Sequence, residues 1–130
     1  MPAFTPDNNI LRSFKAAFRG LFLVIRYERN AGFHFLAVVS VTLAGFIFKI
    51  NSTHWIILLL LFAIVISAEM LNSAIEKLAD IAEPDFNNKV KDLKDIAAGA
   101  VLWTSIVSVI IGIIIFVPYI LKIFKNMPNH

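Results

Sequence analysis

The sequence contains no cysteine, which excludes a disulfide framework, a thiolate metal site and a cysteine nucleophile. It is also poor in charge: 16% of its 130 residues are Asp, Glu, Lys or Arg, against about 25% in ordinary soluble domains. It lacks a GxxxxGK(S/T) phosphate loop and the protein-kinase signature set, so any nucleotide site must be built some other way. Residues 1–10 hold two prolines, Asp7 and two asparagines, with neither the basic start nor the apolar core of a secretory signal.

What the sequence has in abundance is apolar surface. It is 58% hydrophobic, and a soluble fold of this size could not hide that much. Residues 31–48 carry no formal charge and are interrupted only by Gly32, His34, Ser40, Thr42 and Gly45. A second apolar run covers 55–68 and ends at Glu69, and a third covers 96–121 with Tyr119 as its one ionisable group. Crossing the hydrocarbon core takes about 20 residues. The first and third runs meet that length, and the second does so only if its helix continues through Glu69 towards Asp80. A re-entrant second segment is the competing reading, but non-helical backbone is poorly tolerated at membrane depth. The pattern predicts an all-α membrane protein forming one domain over 1–130, with spans near 31–50, 54–81 and 93–121.

Basic residues orient the spans. Arg12, Lys15, Arg19, Arg26 and Arg29 precede the first, and Lys77, Lys89, Lys91 and Lys94 lie between the second and third. Only Lys49, Lys122 and Lys125 fall on the other side. The positive-inside rule then places the N-terminus and the second loop in the cytoplasm. Basic groups seated beside membrane spans also argue against a nucleic-acid partner. The acids are still more one-sided. Asp7, Glu28, Glu69, Glu76, Asp80, Glu83, Asp85, Asp92 and Asp95 are all of them, and each falls on or just inside the cytoplasmic face. Acids contribute little to topology, so topology does not account for that gathering.

Residues 10–29 predict an amphipathic surface helix. At 100° per residue, Arg12, Lys15, Arg19 and Arg26 form one stripe, beside an arc of Leu11, Phe14, Phe18, Leu21, Phe22 and Ile25. Such a helix suits the headgroup plane. Glu28 flanks the apolar arc, where an unpaired carboxylate would be costly. In the second span Glu69, Asn72, Glu76 and Asp80 recur at i, i+3, i+7 and i+11 on one helical face. This ladder could hold a divalent cation through its outer oxygens, and it could place one carboxylate at the depth of a lipid hydroxyl to accept a proton. Lys94 at the start of the third span is either a snorkelling anchor or a point charge for phosphate oxygens. Carboxylates for Mg2+, a lysine for phosphate and a base at the membrane surface suggest phosphoryl transfer to a lipid, a reaction dominated by positioning and charge neutralisation. Two rivals are a proton-coupled transporter using Glu69 and a structural subunit with the acids as bundle glue. The almost wholly apolar midplane of the spans speaks against the transporter.

The stretch Ala68-Glu69-Met70-Leu71-Asn72-Ser73-Ala74-Ile75-Glu76, followed by Asp80, resembles the signature of the prokaryotic diacylglycerol kinase and undecaprenol kinase family. Lys94-Asp95-Ile96-Ala97-Ala98-Gly99-Ala100-Val101-Leu102 looks like its second block. Phe14-Lys15-Ala16-Ala17-Phe18-Arg19-Gly20-Leu21, with Glu28 and Asn30, looks like its N-terminal block. The three blocks keep the family's order and spacing over about residues 10 to 120.

The resemblance implies a homotrimer of three-span subunits in the bacterial inner membrane, with active sites between subunits, and ATP and Mg2+ as co-substrate and cofactor. By analogy Glu69 is the general base on the lipid hydroxyl, and Glu28 and Glu76 hold the metal that accompanies ATP. Asn72, Lys94 and Asp95 position the phosphates, and Asp85, Phe86 and Asn87 correspond to a segment that contacts the nucleotide. Arg12, Arg19 and Ala98 join Glu69 as candidates for contact with the lipid. Asn9 and Ala16 stand where the family often has a basic and an aromatic residue, which leaves Arg12 as the candidate substitute. After Glu28, undecaprenol kinases tend to show an asparagine, then a basic residue and a histidine. Here Asn30 and His34 remain, while Gly32 and Phe33 replace the basic part. The block from Ala97 to Ala100 looks more like the undecaprenol branch, and the choice between the two lipid alcohols stays open.

Overall fold

The computed structural model describes residues 10–27, 31–85 and 87–125. They form four helices in chain order: α1 (Ile10–Tyr27), α2 (Ala31–Ile47), α3 (Ser52–Ala82) and α4 (Asn88–Lys125). Among the described residues there is no strand.

The apolar run that looked too short to span lies inside the 31-residue helix α3. Ser52–Ala82 contains neither glycine nor proline, so nothing in it interrupts the backbone ladder where the side chains turn polar. Asn51 caps its start, accepting from the His54 amide at 2.9 Å. Its end is set by Pro84: the preceding residue, Glu83, is extended, at φ −143°, as a residue before proline prefers. At roughly 1.5 Å per residue the helix is about 46 Å long. It is therefore long enough to cross the hydrocarbon with turns to spare at its acidic end. Helix α4 has 38 residues, and both helices are long and apolar enough to cross a membrane.

The first expected span, 31–50, is longer than the helix that forms. Helix α2 has 17 residues, about 25 Å at the same rise, and it is the shorter apolar helix of the set. A closing turn ends it. The Ile50 amide donates to the Gly45 carbonyl at 3.1 Å and the Lys49 amide to Phe46 at 3.2 Å, with Lys49 at φ 51°. This is a Schellman closure with lysine in the left-handed position usually held by glycine. Gly45 has a different task. A Cβ there would sit 2.7 Å from Trp55 Cη2 and 3.2 Å from Ile50 Cδ1, so its bare backbone lets the first turn of α3 close onto α2.

Helices α3 and α4 form the main hairpin, and its core lies at the end away from the acids. Ile50, Leu58 and Ile115 are buried there, with Phe48 against Phe116 at 5.9 Å between ring centroids. The Tyr119 hydroxyl accepts from the Asn51 amide at 3.3 Å and lies 3.0 Å from His54 Nδ1. Within α4, Thr104 and Ser108 donate their hydroxyls to carbonyls one turn back, which satisfies them without a partner helix. Helix α1 runs over Ile10–Tyr27 as the wheel predicts for 10–29, positions 28 and 29 lying outside the described residues. Phe14, Phe18 and Phe22 on its apolar arc remain exposed, as expected of a helix whose arc faces lipid.

Candidate functional site

One stripe of α3 changes character along its length. Leu58, Glu69, Asn72 and Ser73 are its buried residues, all within one narrow arc at 100° per residue. The stripe is thus apolar where α3 meets the core near Ile115 and polar from Glu69 onward.

Glu69 is 4% exposed. Its Oε2 is buried without a hydrogen-bond partner, as are Asn72 Oδ1 and Ser73 Oγ. Burying polar atoms unpaired costs about 1–3 kcal/mol each, and three such atoms fall within two turns of α3. From α2, His34 approaches Glu69, with Nε2 3.7 Å from Oε2. One turn on, Asn72 donates from Nδ2 to Glu76 Oε1 at 3.1 Å, which holds that half-buried carboxylate in one orientation. Asp80, exposed at the end of the ladder, pairs with Lys94 of α4. The lysine expected to meet phosphate is therefore held across the α3–α4 hairpin by the last acid of the ladder. Asp95 follows it on α4, exposed, and Ala98 is exposed one turn further.

The connection between α3 and α4 supplies Asp85, which is exposed, and Asn87. Asn87 has a structural role: its side chain accepts from the Lys89 amide at 2.9 Å and caps α4. Arg12 and Arg19 are exposed on α1. Glu28, Asn30 and Phe86 lie outside the described residues, so the expected pairing of Glu28 with Glu76 at a metal is not part of this geometry. Among the described residues no three His, Asp or Glu side chains converge as a metal site.

Two cavities adjoin at His34, and Glu69 lines the smaller of them. The larger, about 440 Å³, lies between α2, α3 and α4, lined by His34, Val38, Leu58, Phe62 and Phe116 among others and nearly free of polar groups. The smaller, about 130 Å³, lies between α1, α2 and α3 and includes Leu21, Val24, Glu69 and Met70. His34, Val38 and Ile66 line both. The smaller apolar cavity thus borders the buried Glu69 carboxylate, with the larger one on the other side of the shared wall.

Ser73 and His34 stood in the sequence only as family-like positions, with no role beside Glu69 assigned to either. Ser73 was readable in principle, being four residues beyond Glu69 on the same face. His34 belongs to another helix, and its meeting with Glu69 has no signature in spacing.

The sequence profile described as "Prokaryotic diacylglycerol kinase" matches residues 15–116. An undecaprenol kinase of Bacillus subtilis is 39% identical over 111 residues, covering 85% of this chain and 90% of that protein. A diacylglycerol kinase of Synechocystis sp. is 31% identical over 116 residues, 88% of this chain and 66% of that longer protein. No solved structure matches the chain. With its acid ladder inside the matched region, the chain belongs to the prokaryotic diacylglycerol kinase family and is a membrane lipid kinase.

Proposed function

We propose that this kinase transfers the γ-phosphate of ATP, accompanied by Mg2+, to the terminal hydroxyl of undecaprenol, giving undecaprenyl phosphate. One observation carries the reading: the Glu69 carboxylate is buried, unsatisfied at Oε2, and placed where an apolar cavity ends. A carboxylate so placed can take the proton from an alcohol whose hydrocarbon occupies the apolar space. The hydroxyl oxygen then forms the bond to the γ-phosphorus as the bond to the β-phosphate oxygen breaks, leaving ADP. Glu76, fixed by Asn72, offers the hard oxygen donor that Mg2+ prefers, and Glu28 is its proposed co-ligand. The bound ion would neutralise phosphate charge. Lys94 and Asp95 position the nucleotide, with Lys94 exchanging Asp80 for phosphate oxygens, while Asp85, Phe86 and Asn87 border the nucleotide and Arg12, Arg19 and Ala98 the lipid. Diacylglycerol, which would yield phosphatidic acid, is the second acceptor to consider, since the Synechocystis relative is a diacylglycerol kinase. Undecaprenol is favoured by the undecaprenol-like block at Ala97–Ala100 and by the more similar Bacillus relative, matched over nearly its whole length.

In the same reading α2 crosses the bilayer with α3 and α4 as the third span of one domain, the surface helix lies on the cytoplasmic side of the bacterial inner membrane, and three subunits assemble. Sharing of sites between subunits would bring Glu28 of one chain to Glu76 of the next. The deciding experiment compares ATP-dependent phosphorylation of undecaprenol and diacylglycerol by the purified protein, with Mg2+ and with chelator. Turnover of undecaprenol that exceeds diacylglycerol and disappears with chelator is expected. Turnover of neither lipid would overturn the reading.

A further inference from the structure

His34 is the one polar side chain that approaches Glu69 from another helix among the contacts of the described residues. Its Nε2 faces the very oxygen, Oε2, that has no hydrogen-bond partner. The separation of 3.7 Å is slightly beyond hydrogen-bond length, as catalytic contacts often are before substrate arrives. The side chain of His34 is 23% exposed and that of Glu69 5%, so the pair stands between a buried end and an open one. The remaining residues around both cavities are apolar apart from Ser105, Ser108 and these two groups. Across that lining Glu69 is the only carboxylate and His34 the only other titratable side chain, with none contributed by α1 or α4.

We infer that His34 is a positioning residue: its Nε2 fixes the Glu69 carboxylate through Oε2, leaving the other oxygen, Oε1, to receive the lipid hydroxyl beside the smaller cavity, which both residues line. The inference rests on the proposed role of Glu69 and adds a residue on a different helix. A carboxylate on a long helix, with one buried oxygen unpaired, has rotational freedom about its last bonds. A ring nitrogen on Oε2 removes that freedom and aims the second oxygen. Val38, one turn beyond His34 on the same face of α2, lines both cavities with it.

The test uses the full-length protein in lipid-detergent micelles, with His34→Leu, His34→Gln, His34→Asn and Glu69→Gln assayed together. Glutamine can place an amide nitrogen where imidazole Nε2 stands, whereas asparagine reaches only the position of Nδ1. His34→Leu should lower kcat by roughly tenfold to a hundredfold, the span of a hydrogen bond to a charged group, with the KM for Mg-ATP unchanged. His34→Gln should stay within a few-fold of the parent, and His34→Asn should behave as His34→Leu. A merely structural histidine would show equal activity in the two amides, or a loss that follows thermal stability rather than donor position, and either result overturns the inference. Should His34→Leu fail to fold, the comparison of the two amides decides alone. Glu69→Gln separates the two levels. If it is inactive while His34→Leu retains full kcat, only the role of His34 fails, and if Glu69→Gln is active the reading of Glu69 fails as well.

Discussion

Asn72→Ala removes one hydrogen bond and little else, which makes its consequence calculable. The amide donates to Glu76 Oε1 at 3.1 Å, and alanine keeps the helix because it is the best helix former. A hydrogen bond to a charged group contributes about 1.5–3 kcal/mol. Glu76 is only half-buried, so water competes, and the lower figure of about 1.5 kcal/mol applies. That corresponds to roughly tenfold in an equilibrium constant. Stability should change less than this, because the substitution also deletes Asn72 Oδ1, a buried acceptor without a partner, whose removal is favourable. The loss should therefore appear in binding of Mg-ATP: KM for the nucleotide up about tenfold, the melting temperature nearly unmoved, and kcat at saturating ATP much less affected.

The double-mutant cycle with Glu76→Gln sharpens this. If Asn72 acts by orienting the Glu76 carboxylate, the double variant should bind Mg-ATP no more weakly than Glu76→Gln alone, since groups in one hydrogen-bonded network are not additive. Titration of Mg-ATP by equilibrium binding, without lipid, reads the four proteins directly. Two additive losses, or an Asn72→Ala protein with unchanged nucleotide affinity, would refute the claim that this amide serves the metal-nucleotide end of the ladder.

Glu69→Gln, nearly isosteric at a buried site, should cut turnover by about 10²–10⁴, the share of a general base, while Mg-ATP affinity in a binding titration stays within a few-fold. Tyr119→Phe removes the hydroxyl that meets the Asn51 amide and His54. It should lower stability in a thermal assay by about 0.6 kcal/mol, the mean for an interhelical bond in a membrane protein, and leave kinetics at the opposite end unchanged. Gly45→Ala forces a Cβ to 2.7 Å from Trp55. It should cost about 1–3 kcal/mol of overpacking, offset by up to about 1 kcal/mol of helix propensity, and a raised melting temperature would contradict the close approach.

What the sequence disclosed follows from how each feature is encoded. The acid ladder was readable because Glu69, Asn72, Glu76 and Asp80 are all local to one helix, and helical spacing fixes their common face. The continuation of α3 through Glu69 was readable too, since no glycine or proline breaks it before Pro84. The length of α2 was not, because its end depends on a left-handed Lys49. Lysine carries none of the signal that glycine would at that position. The pairing of Lys94 with Asp80 and the approach of His34 to Glu69 join residues 14 and 35 positions apart. They depend on how helices dock, which periodicity within each helix does not specify.

In the proposed reading, what holds the bundle together lies apart from what it does. Apolar packing, the tyrosine contact and the closing turn after α2 gather at the end of the hairpin near Ile50 and Ile115. Among the described residues, the buried unsatisfied polar atoms gather further along α3, at Glu69, Asn72 and Ser73. A helix as long as α3 permits this, since its far turns tie down one end while its polar turns stay unpaired at the other. The cost of leaving those atoms unpaired is then offset by packing some distance along the same helix. Substitutions at the two ends should therefore fall into two classes, one moving the melting temperature and the other moving kcat or KM. Residues that move both should be confined to the middle of α3, between Leu58 and Glu69, where the packed stripe becomes the reactive one.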